Sequence, residues 1–321
     1  MNIINPNLKV INEDWNIFTF RQRDYEQLLE NVKEILKPLE EIGFEIVEID
    51  LKDSRFSSGE LSKTIKQTLV LKIRKGTHEI DLSMFIPKLI DGNYIYINGR
   101  RKIPLFQLFD IPIVTRGENI KFRSNVATIM ILKEKEIPSI KVTFLSKKVD
   151  FALMLLAYYG PEEVSKIFEM NKKIDKTSEN LYENLRGDIK LYLEESKGQS
   201  QDDFILELGR NYSKYSAKSK GEDILYGLNL IPKVDRLTAR FLTKTTVMEE
   251  LIEILKTGYL DDTLFTNKRV RCFEYIVLGK VSKTIFDLCI SNRTARQPKF
   301  NINSTQILSE CNVSDIVQFD F

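Results

Sequence analysis

Across 321 residues, hydrophobic side chains make up 42% and charged ones 29%, a balance that excludes a disordered chain and a membrane-embedded one. With 48 Lys plus Arg against 46 Asp plus Glu, the net charge is only +2, so bulk charge excludes neither nucleic acid nor protein as a partner. One His, three Cys and one Trp leave little room for zinc or triad chemistry.

In chain order, Tyr25, Leu28, Leu29, Val32, Ile35, Leu36 and Leu39 recur at helical spacing, with Asp24 and Gln27 placed as a capping box. Pro38 is expected to end or kink this helix near Lys37. Residues 44–49 then alternate apolar and acidic, as a half-buried strand does. Residues 68–73 form a β-branched run that turns at Lys75-Gly76-Thr77 and returns over residues 78–82. Asp91-Gly92 and Asn98-Gly99 bracket Tyr94-Ile95-Tyr96-Ile97, and both dipeptides favour tight hairpin turns. Up to about residue 140 the pattern reads as one helix and an antiparallel meander.

Beyond residue 147 the pattern becomes helical. Residues 149–159 form an apolar helix ended by Gly160, and Pro161 opens the next, through about residue 171. Helices follow over residues 179–195, 202–211 and 247–256, the last stopped by Gly258. Residues 213–221, rich in Ser and Lys, read as an exposed loop, and residues 271–290 as a long amphipathic helix. The fold class is α+β, with a sheet region, a mainly helical middle and a helical tail. Charge is uneven: residues 24–60 carry a net −7 and residues 266–300 a net +6.

Self-contained catalysis is not visible. Any nucleophile–histidine pair must use His78, which sits at a hairpin and reads as structural. There is no HExxH, CxxC, P-loop, G-x-G-x-x-G or D-x-D. Glu40-Glu41, Asp202-Asp203 and Asp261-Asp262 are adjacent pairs, which point about 100° apart on a helix and do not converge on a metal. Cys272, Cys289 and Cys311 have no short spacing and read as reduced thiols. No apolar run approaches the roughly 20 residues of a membrane span, and residues 1–10 lack a secretory pattern. The chain is therefore expected in the cytoplasm.

Two stretches are more specific. Residues 85–108 read FIPKLIDGNYIYINGRRKIPLFQL, with Pro87, Gly92, Ile97-Asn98-Gly99 and Gln107-Leu108 in order. Residues 266–278 read TNKRVRCFEYIVL, with Asn267, Lys268, Arg269, Val270 and Arg271 as a basic box after Asp261-Asp262. Ser314 to Phe319 follows as SDIVQF. In kind and order these resemble motifs of the β, or second-largest, subunits of multisubunit DNA-directed RNA polymerases, most nearly the split β subunits of large bacteriophages. The match covers both ends of the chain and is loose from about 145 to 260. Arg100-Arg101 stands where the family has Glu-Arg, Phe109-Asp110-Ile111-Pro112 replaces its Arg-Ser-Pro-Gly, and Glu274 is displaced by one position.

The resemblance implies an N-terminal β piece of protrusion and lobe. It gives a discontinuous antiparallel-sheet domain over 1–144 and 261–321, with an inserted mainly helical module over 145–260. It implies no active site in this chain. The catalytic Mg would belong to the partner β′ subunit, and transcription would need the C-terminal β part, β′, DNA and an RNA–DNA hybrid. If phage-encoded, the chain would work in the host cytoplasm. Lys268, Arg269 and Arg271, with Arg100 and Arg101, are the expected nucleic-acid contacts, leaving from a helix start. Pro87, Gly92, Asn98, Gly99 and Asn267 would shape the turns. Structural roles compete: a buried ion pair for Arg269, a charged hairpin edge for Arg100 and Arg101. The alternative function is a phage or viral structural or host-interaction protein. An autonomous metal-dependent nuclease is the third, and lacks converging carboxylates.

Overall fold

The computed structural model describes residues 22–53, 66–88, 90, 95–97, 100–102, 107–110, 112–116, 119–133, 139–175, 180–258, 268–271 and 273–295. Helices and antiparallel sheets make an α+β fold. The chain divides into two compact units, residues 1–109 with 269–321, and residues 110–268.

The first unit opens with α1 (Gln22–Glu41), which buries Leu28, Val32, Ile35, Leu36 and Leu39 on one stripe. Contrary to the expected stop, α1 runs through Pro38. Only one amide bond is lost so near the helix end, and the buried Leu39 beyond it holds the last turn in place. Gly43, at φ 86°, ends the helix: its N–H bonds Glu40 O and the N–H of Phe44 bonds Leu39 O, a paired closure that needs the left-handed conformation.

Three strands follow, β1 (Glu45–Asp53), β2 (Lys66–Lys75) and β3 (His78–Pro87), antiparallel in the order β1-β2-β3. Leu69, Leu71 and Ile73 alternate inward beside Leu82 and Met84. The other face is laced by charge: Glu48 meets Lys72 at 3.4 Å, and Arg74 lies 3.7 Å from both Glu45 and Glu79. A bulge at Val47 shifts the β1 register. Strands β4 (Ile95–Ile97) and β5 (Arg100–Lys102) form a separate hairpin, and β6 (Gln107–Asp110) pairs with β12 (Lys268–Arg271). From the far end of the sequence α9 (Phe273–Asn292) packs on α1, burying Val277, Leu278, Val281, Ile285 and Phe286. Its Cys289 is fully buried.

In the second unit β7 (Ile113–Arg116), β8 (Asn119–Arg123), β9 (Thr128–Lys133), β10 (Ile140–Phe144) and β11 (Lys147–Asp150) form an antiparallel meander, β11-β10-β9-β8-β7. One face buries Ile120, Phe122, Ile129, Ile131, Val142 and Phe144. The first residues of the expected apolar helix belong to β11, and α2 (Phe151–Tyr159) starts straight after it. Residues 151–157 of α2 are all buried, so this helix is central rather than amphipathic. Because β11 runs into α2 without a linker, the five-stranded sheet stays with the helices, and the units divide at 109/110 rather than near 145.

Around α2 lie α3 (Pro161–Ile167), α4 (Leu181–Glu195), α5 (Gln201–Arg210), α6 (Ala217–Val234), α7 (Arg236–Ala239) and α8 (Val247–Thr257). Of the expected loop over 213–221, residues 213–216 are non-helical and the rest is helix, since α6 begins at Ala217. Its backbone touches α5: a Cβ on Gly209 would lie 1.7 Å from Ala217 O, and one on Gly221 would lie 2.1 Å from Ile205 O. Fully buried Asp235 ties this bundle to the sheet, accepting from Asn125 N at 2.7 Å and Thr238 Oγ1 at 2.7 Å. Among the described residues no helix is long and apolar enough to cross a membrane.

Candidate nucleic-acid interface

The β4–β5 hairpin sets Ile97 opposite Arg100, Tyr96 opposite Arg101 and Ile95 opposite Lys102. The pairing puts Arg100 and Lys102 on the side of Ile95. Ile95 is buried while Arg100 is exposed, so the row runs from core to solvent toward the turn. Gly92, Asn98 and Gly99 lie outside the described residues. Pro87 ends β3 opposite Lys66, at a strand terminus where the missing N–H costs little. The adjacent Lys88 pairs with Asp53 at 2.7 Å.

The basic box is a strand, not the start of a helix. Lys268–Arg271 forms β12, and the helix begins only at Phe273. A β-branched residue such as Val270 suits extended backbone once a partner strand stands alongside. In such a strand the positions two apart, 268 with 270 and 269 with 271, form the two natural pairs. Asn267, and how deeply the side chains of β12 are buried, lie outside the described residues.

The partner strand is β6, which carries Gln107-Leu108. Two motifs about 160 positions apart in sequence thus stand on neighbouring strands of one ribbon. Cations at i and i+2 on such a strand sit roughly 7 Å apart, a spacing that meets successive phosphates without reading bases.

Several described carboxylates outside this ribbon hold the fold. Glu249 closes a capping box with Thr246, and Asp203 caps α5 through Ser200 N at 2.8 Å. Glu250, nearly buried, accepts from Thr243 N at 2.7 Å and Lys244 N at 2.8 Å. Asp188 accepts from Ile140 N at 2.7 Å, and burial pushes its carboxyl up to about 6 although that amide opposes the rise. Arg186, 5% exposed, is also committed: it binds Glu183 at 2.9 Å and the carbonyls of Phe168 and Glu169, both at 2.9 Å. Among the described residues no three His, Cys, Asp or Glu are grouped to hold a metal ion.

Sequence reading overlooked Lys121 and Arg123 of β8. Their signal is alternation with buried Ile120 and Phe122. No protein-family model matches the chain, and no curated protein is similar to it.

Proposed function

We propose that the chain is a non-catalytic N-terminal β-subunit piece of a DNA-dependent RNA polymerase. It walls the DNA cleft, holds DNA by backbone charge and assembles with the remaining β and β′ chains. The observation that carries this reading is the ribbon in which β6, bearing Gln107-Leu108, pairs with β12, bearing the basic box. The discontinuous first unit, interrupted by residues 110–268, supports it, because the family that the sequence resembles interrupts its protrusion in this way.

The chemistry asked of this chain is electrostatic. Arg269 and Arg271, two positions apart on β12, neutralise phosphates and release counterions, a contact independent of base sequence. Arg100 and Arg101 of β5 are a second, separate set of backbone contacts. Nucleotide addition belongs to β′ and its Mg.

The test is purification of the native complex through a tag on this chain. A polymerase is expected, with the rest of β and a β′ chain bearing an Asp triad. Mg-dependent RNA synthesis should occur in the complex and not in the isolated chain. Recovery of the chain in an assembly without RNA synthesis would overturn the reading.

A further inference from the structure

The outer face of the five-stranded sheet carries a groove of about 220 Å³. Val114, Met130 and Leu132 form its apolar walls; Asn119, Lys121 and Arg123 form its polar rim. Register explains the arrangement: Val114 on β7 and Met130 on β9 both stand opposite Lys121 on β8. Further along this face Lys141 is neutralised by Asp150 at 2.5 Å. Lys121 and Arg123 have no carboxylate partner among the described residues. Arg123 is exposed and Lys121, Met130 and Leu132 are half-buried, so both charge and apolar surface remain available.

We infer that this groove binds an extended acidic–aliphatic peptide segment of a partner protein, a site separate from the basic ribbon and independent of the polymerase reading. The two cations occupy positions i and i+2 of one strand, roughly 7 Å apart, which matches carboxylates at i and i+2 of an extended peptide. An aliphatic side chain two positions beyond a carboxylate, on the same face of the peptide, enters the space between Val114, Met130 and Leu132. A nucleic-acid strand suits the groove less well. No aromatic ring lines it for base stacking, and its apolar walls offer nothing to a hydrated sugar-phosphate chain. Lys121 and Arg123 supply steering and register, and the apolar walls supply contact area.

A random dodecapeptide library is selected on the full-length chain. Enriched peptides should carry two acidic residues two positions apart, with Leu, Ile or Val two positions beyond one of them. Their affinity should fall about tenfold or more in Lys121→Glu/Arg123→Glu, and peptides with Lys in place of the acids should regain binding to that variant. Met130→Gln, which leaves both charges in place, should also weaken binding, and thermal unfolding of each variant checks that it is folded. Selection of no peptides, peptides without acidic residues, or binding indifferent to the charge reversal would overturn the inference. So would an oligothymidylate held more tightly than any peptide and lost in the same variant.

Discussion

The ammonium of Lys75 donates to the carbonyl oxygen of Asn292 at 3.3 Å, joining the end of β2 to the end of α9 across 217 positions of sequence. The same ammonium sits 4.9 Å from the centre of the Phe44 ring. The last turn of α9 has no basic residue of its own, so Lys75 supplies both a donor and a positive charge to that helix end. This contact, with the packing of α9 on α1, makes the first unit one body despite the long insertion.

Replacing Lys75 by Met should remove the donor and the charge while keeping the stem. Stability of the first unit should fall by about 1 kcal/mol, and amides in the last turn of α9 should exchange faster. Lys75→Arg should retain most of the effect. Hydrogen exchange of α9 with urea unfolding measures this; unchanged protection in Lys75→Met would show that the contact does not brace the helix.

Gly209→Ala and Gly221→Ala should each force α5 and α6 apart, because the new methyl would meet backbone at 1.7 and 2.1 Å. A loss of about 3 kcal/mol or more is expected, well beyond the helix-propensity gain from replacing Gly. Gly187 in α4, with nothing near its Cβ position, is the control: Gly187→Ala should be neutral or stabilising. Melting temperatures of the three variants test the contrast.

These glycines also show where sequence reading stops. The α1 stripe, the Gly76 hairpin, Gly160 and the stop at Gly258 were legible, because each depends on neighbours in sequence. Most of α6 was not legible. Ser and Lys at its start read as a loop, and its packing depends on Gly209, in another helix. The basic box is legible as a motif, but its backbone is not, since its extended form comes with β6, far away in sequence. Lys75 could not be singled out at all, because its partner lies 217 positions later.

Stability should depend on Asp188 between about pH 4 and pH 6. Its folded carboxyl titrates near 6, above the ordinary 3.8, so the folded state holds the proton more tightly than the unfolded one. The contribution is full below about 4 and is lost as pH rises through about 6. Solvent screening of this half-buried group limits it to about 1 kcal/mol. Asp188→Asn keeps an acceptor for Ile140 N and should flatten that part of the pH profile while stabilising the chain at pH 7. Urea midpoints across pH 3.5–7 check this; an unaltered profile would contradict it.

Retention of DNA against salt in the purified complex tests the central claim most directly. Arg269 and Arg271 stand two positions apart on extended β12, so they should act as a pair. Replacing both by Ala should shorten the lifetime of the DNA complex and reduce the slope of log affinity against log salt by about 1.4–1.8, the loss of two phosphate contacts. The effect should be the same on unrelated DNA sequences. A slope equal to that of the unaltered complex would mean that this strand holds no DNA, and would contradict the account.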